Sequence, residues 1–119
     1  MIKGIKYENF VCQWLKSQEN TIIMRNFRTR HGEIDIIATD GEYIMFVEVK
    51  AKKSHHFGTP SEVVDYKKQQ KICKTAALYL SENFHDLQPR FDVADVSIFS
   101  DNDADLRINY IKNAFDFTE

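Results

Sequence analysis

Apolar positions recur along this chain with two different periods, and the places where the period changes mark its elements. From Lys6 to about Lys16, the residues Tyr7, Phe10, Val11, Trp14 and Leu15 come at helical spacing, which predicts a helix with one buried stripe. Residues 21 to 28, TIIMRNFR, read as a strand. Between His31 and Lys52, HGEIDIIATDGEYIMFVEVKAK holds two apolar runs separated by Asp40-Gly41, the strongest short hairpin signal a sequence offers. Together with the preceding strand this predicts a three-strand meander. Thr59-Pro60-Ser61-Glu62 has the form of a capping box with proline at the first helical position. It predicts a helix to about Asn83 with Val64, Ile72, Ala76, Tyr79 and Leu80 facing inward. RFDVADVSIF, starting at Arg90, and LRINYI, starting at Leu106, predict two further strands on either side of the polar turn SDNDAD.

Charges inside strands need a reason, and the hairpin has three. Asp35 sits in the middle of its first run, and Glu48-Val49-Lys50 closes the second. A two-residue turn at Asp40-Gly41, or a four-residue loop from Thr39 to Glu42, pairs Ile37 with Ile44 and Asp35 with Phe46. Alternation then puts Asp35, Phe46, Glu48 and Lys50 on one face. In that register Asp35 and Glu48 are diagonal neighbours roughly 7 Å apart. Two carboxylates so placed repel unless a proton or a metal lies between them. Oxygen-only donors that leave coordination positions for water and phosphate suit Mg²⁺. Lys50 can neutralise a phosphate or help to deprotonate an attacking water. The plainer reading is a buried ion pair between Lys50 and one of the acids. Glu8 borders the buried stripe of the first helix, as a third carboxylate or as the salt-bridge partner of a strand residue. Lys68 falls on the inward stripe of the later helix, where it either snorkels to solvent or points at the carboxylates.

Composition narrows the class. At 119 residues, 43% hydrophobic and 29% charged, the chain reads as one globular domain, 1–119, whose core needs no disulfide or metal staple. Cys12 and Cys73 match no zinc or redox spacing and are expected to be reduced and packed. No run of 18 apolar residues signals a membrane span, and MIKGIKYENF lacks the apolar stretch of a secretion signal, so the expected location is the cytoplasm. His55-His56 lacks a third metal ligand, and the acidic spacing of Asp101, Asp103 and Asp105 lacks the glycine and glutamate of a calcium loop.

The net charge of −2 hides an asymmetry: residues 1–81 carry +4 and residues 82–119 carry −6. Arg25, Arg28, Arg30 and His31 precede the hairpin, Lys52, Lys53, His55 and His56 follow it, and Lys67, Lys71 and Lys74 face outward on the later helix. Any one of them reads as a solvated surface charge, but basic loops around a carboxylate pair fit a polyanion lying across the site. No residue set suggests reading of base edges.

The order helix, three strands, helix, two strands, with an acid on the second strand and ExK on the third, resembles the PD-(D/E)xK nuclease core. Gly4 with Glu8, Arg25-Asn26, GEIDIIA, FVEVKAK, FGTP, the helix from Lys68 ending in AALYL, RFDV and INYIKNAF together resemble the bacterial YraN-like family, which is related to archaeal Holliday-junction resolvases. The resemblance runs from Gly4 to Phe115. It implies an α/β, restriction-endonuclease-like fold with a central mixed sheet of about five strands flanked by helices. It also implies Glu8, Asp35, Glu48 and Lys50 at the catalytic positions, with Asp35, Glu48 and the carbonyl of Val49 as ligands of Mg²⁺ or Mn²⁺. The proline that names the superfamily is replaced by Ile34, as it is in the related family.

The expectation is a metal-dependent nuclease hydrolysing DNA phosphodiesters, branched or Holliday-junction-like DNA included, with Lys68 steadying the phosphate. Arg25, Arg28, Arg30, His31, Lys52, Lys53, Lys67 and Lys71 would lie along the nucleic-acid backbone, and a homodimer would double that short basic face. One alternative is a non-catalytic nucleic-acid-binding module on the same fold. Another is an interaction protein that recruits a basic partner through its acidic C-terminal region.

Overall fold

The computed structural model describes residues 4–53, 64–83, 86–100 and 105–117. Its elements follow the predicted order: α1 (Ile5–Ser17), β1 (Thr21–Thr29), β2 (Gly32–Thr39), β3 (Tyr43–Lys53), α2 (Tyr66–Glu82), β4 (Gln88–Ile98) and β5 (Leu106–Phe115). The strands form one mixed sheet in the order β1-β2-β3-β4-β5. Only the β3–β4 pair is parallel, and α2 makes the crossover between them.

Alternation sorts the side chains to two cores, one on each face. On the α1 side, Val11, Cys12 and Leu15 of the helix pack against Ile36, Ala38, Met45, Val47, Val49, Ala94 and Val96. On the α2 side, Ile72, Cys73, Ala76 and Tyr79 pack against Ile37, Ile44, Phe46, Phe91 and Val93. Both cysteines are free and buried, as expected. None of the described helices is long and apolar enough to cross a membrane.

The predicted capping box at Thr59–Glu62 and the His55-His56 pair lie outside the described residues. The described helix opens later than predicted, on Asp65, whose carboxylate accepts the Lys68 N–H at 2.9 Å. Asp is among the best N-cap residues because it satisfies an amide that the first turn leaves without a partner. Val64 is buried as expected, but it precedes the helix.

The hairpin register differs from the expectation by two residues: Ile37 pairs with Phe46 and Thr39 with Ile44. Side-chain bonds explain the longer loop. Thr39 Oγ1 accepts from Gly41 N–H and donates to the Tyr43 carbonyl, at 2.9 and 2.8 Å. The Asp40 carboxylate accepts from Tyr43 N–H and Glu42 N–H, at 2.8 and 2.9 Å, and the Tyr43 bond foremost holds its pKa below the ordinary carboxylate value. A shift of two leaves every face assignment along the paired residues intact, because side chains alternate with period two.

Both outer strands are irregular. The β1 ladder shifts between Ile22 and Met24, and Asn26 takes a left-handed conformation at φ 55°. The β5 ladder shifts opposite Phe91 and Val93, and Asn113 is left-handed at φ 52°. Asparagine tolerates that region better than most residues.

Candidate metal and nucleic-acid site

The site begins where β2 and β3 part. Their ladder ends at Ile36–Val47, and beyond it the alternation of β2 breaks: Ile36 belongs to the α1-side core, yet Ile34 belongs to the α2-side core. Asp35 stands at that break, 1% exposed, and the β1 register sets left-handed Asn26 opposite it. Parting leaves Val49 N–H without a ladder carbonyl on β2, and Asp35 Oδ2 accepts it at 2.8 Å. The acid of the second strand is thereby tied to the backbone in the middle of the Glu48-Val49-Lys50 triplet.

Charged groups stand around this junction. Asp35 lines a cavity of about 340 Å³ with Gly4, Ile5, Glu8, Asn26, Arg28 and Glu33, next to the first turn of α1. Glu48 reaches the α2 side, where its Oε1 receives the Lys68 ammonium at 2.8 Å. Asp35 and Glu48 thus lie on adjacent strands just past the last pair of the ladder between them. Lys50 is 8% exposed, and by alternation it sits on the side of Phe46 and Glu48.

Glu8 takes the plainer of its two readings: its Oε1 accepts from Arg25 Nη2 at 3.3 Å. Lys68 takes the inward one. Among the described residues no three His, Cys, Asp or Glu side chains converge closely enough to enclose a metal ion. Mg²⁺ commonly uses one or two carboxylates and keeps its waters. The donor chemistry suits that demand, since Asp35 and Glu48 are acids of adjacent strands and Glu48 already carries a cationic neighbour in Lys68.

The basic residues form a discontinuous rim. Arg28 is well exposed and pairs loosely with Glu33 at 3.3 Å. Arg30 is exposed and His31 half-buried at the tip of the β1–β2 hairpin. That tip is pressed onto α2: a Cβ on Gly32 would lie 3.4 Å from Lys71 Cβ and from Thr75 Oγ1, and the Thr29 and Thr75 hydroxyls are 3.5 Å apart. Arg30 and His31 thus share one corner with Lys71, and Lys67 is exposed one turn before it. Lys52 is half-buried and Lys53 exposed at the end of β3, while Arg25 is committed to Glu8.

Sequence reasoning passed over two acids of β4. Asp92 is fully buried at the far end of the sheet. It accepts a bidentate pair from Arg90 at 2.9 Å, the Tyr110 hydroxyl at 2.6 Å and the Asn113 N–H at 2.9 Å. Burial opposes the Arg90 charge, but Asp92 outweighs it and the Arg90 pKa rises. Burial and then the Asp92 charge push the Tyr110 phenol far above its ordinary range. Asp95, 5% exposed, is the ladder partner of Lys50. The available signal was an acid at every third position of an otherwise apolar strand, Phe91 to Val96.

Residues 7–96 match the model of the uncharacterised protein family UPF0102. The UPF0102 protein of Caldanaerobacter subterraneus subsp. tengcongensis is 44% identical over 91% of this chain and 89% of its own length. That of Persephonella marina is 45% identical over 97% and 94%, and that of Carboxydothermus hydrogenoformans 39% over 96% and 95%.

Proposed function

This chain belongs to the UPF0102 family, and on that footing we propose that it is a divalent-metal-dependent nuclease hydrolysing DNA phosphodiesters, branched DNA included. The observation that carries the reading is the 2.8 Å bond from Val49 N–H to Asp35, which joins the buried acid of β2 to the acid-x-lysine triplet of β3. Asp35, Glu48 and the carbonyl of Val49 would hold Mg²⁺ or Mn²⁺. Such a cation, when bound, polarises the scissile phosphate and makes water a better nucleophile near neutral pH.

The chain's own groups do the positioning. Val49 N–H fixes the Asp35 carboxylate before any ligand arrives, so little reorganisation is left for the reaction. Lys50 offsets charge that gathers on the phosphate. Lys68, on the first turn of α2 and paired with Glu48 at 2.8 Å, would be available to a phosphate oxygen were Glu48 to hold a cation. Glu8 holds Arg25 at 3.3 Å and lines the cavity beside Asp35, where it would complete the surroundings of the cation. Arg28, Arg30, His31, Lys52, Lys53, Lys67 and Lys71 follow the backbone on either side, which orients DNA without reading its sequence.

The test is cleavage of linear, single-stranded, flapped and four-way DNA with Mg²⁺ or Mn²⁺ by wild type, Asp35→Ala and Lys50→Ala. Wild type should cut at least one substrate in a metal-dependent way, and both variants should not. A second reading, a DNA-binding module without turnover, draws on the pairing of Glu8 with Arg25 and of Glu48 with Lys68, which neutralises acids without any metal. DNA affinity with no cleavage of any substrate would decide for it.

A further inference from the structure

One carboxylate beside the site has no part in the chemistry just described. Asp95 is the ladder partner of Lys50, two residues beyond Glu48–Val93 and four beyond Phe46–Phe91 along the parallel pair. Phe46, Phe91 and Val93 all belong to the α2-side core, so alternation turns Asp95 to the side that holds Glu48 and Lys50. It is 5% exposed, and its Oδ1 is buried without a hydrogen-bond partner among the described residues. A carboxylate oxygen kept out of water without a donor is costly, and such atoms in native proteins usually await an ion or a water.

We propose that the site extends onto β4, with Asp95 Oδ1 accepting a hydrogen bond from the hydration shell of the divalent cation held by Asp35 and Glu48. The inference rests on the metal-dependent reading above and adds a residue to it. Mg²⁺ gives up its waters reluctantly, so an acceptor on the next strand, two residues along from the partner of Glu48, orients the shell without entering it. Groups in that position commonly change metal affinity about 10- to 100-fold when removed.

Calorimetric titration of the full chain with MnCl₂ alone tests this, with wild type, Asp95→Asn, Asp95→Ser and Glu48→Gln. Both Asp95 variants should bind Mn²⁺ about 10-fold or more weakly. In EDTA, Asp95→Asn should melt no lower than wild type, since it keeps the shape and removes a buried charge, while Glu48→Gln should lose Mn²⁺ binding outright. Unchanged Mn²⁺ affinity in both Asp95 variants overturns the inference. If the melting temperature in EDTA also falls, Asp95 is a structural partner of Lys50 and nothing more. A wild type that takes up no Mn²⁺ removes the metal-dependent reading and this inference with it, an outcome separable from failure of the Asp95 variants alone.

Discussion

The ion pair between Lys68 and Glu48 is the most informative place to perturb. Its two ends are unequal: the Glu48 side chain is 3% exposed, whereas Lys68 is 34% exposed, and they meet at 2.8 Å. Breaking a fully buried pair costs about 3–5 kcal/mol, and a surface pair about 0–1. Lys68→Met strips the buried end of its cation, so its cost lies between those limits, at about 2 kcal/mol. Glu48→Gln strips the end that can turn to water, so it costs less, under about 1 kcal/mol. For a chain of this size about 2 kcal/mol corresponds to a fall of about 8 °C in Tm. Thermal unfolding in EDTA should show that fall for Lys68→Met and a smaller one for Glu48→Gln. Because a divalent cation on Glu48 replaces the lost charge, saturating Mg²⁺ should raise the Tm of Lys68→Met by more than it raises that of wild type. A Lys68→Met variant that melts with wild type in EDTA would refute the reasoning, as would equal Mg²⁺ shifts for both.

Three other outcomes follow from the geometry. Asp92→Ala leaves Arg90 and Tyr110 without their shared acceptor and should lower stability by about 3–5 kcal/mol in urea unfolding. Asp40→Ala should cost about 1 kcal/mol at neutral pH through its loop bonds. Since the folded Asp40 pKa lies below its unfolded value, that difference is present above the unfolded pKa and fades as pH falls through the folded one, so wild-type and variant Tm should converge under acid. DNA affinity should fall steeply with salt, and Arg30→Ala and Lys71→Ala, which share one corner, should each lower the slope of log affinity against log salt by about 1.

The meander, both helices and the last two strands were legible because their apolar periods are strong, and the two cores contain the residues those periods select. What escaped the sequence was set by single side chains. Thr39 and Asp40 lengthen the hairpin loop through their own hydrogen bonds, which a turn dipeptide does not announce, and the register moved by two. The described helix starts on Asp65, a single N-cap residue with no capping-box partner to announce it, and the Thr59–Glu62 box lies outside the described residues. The break of alternation at Asp35, across the ladder from a left-handed Asn26, had no visible sign in the apolar pattern. Glu48 and Lys68 were brought together as their inward positions suggested. Glu8 found a strand arginine, and Asp95 went unnoticed because its importance lies in the neighbour that a parallel pairing gives it.

The kinks at Asn26 and Asn113 act on the molecule's social behaviour. A long straight outer strand offers a row of unpaired amides and carbonyls to any passing chain, the usual route to fibrous stacking. Here both rims of the sheet bend and lose register within a few residues, so neither provides a flat rail. A second copy therefore finds no long regular edge on which to extend the sheet.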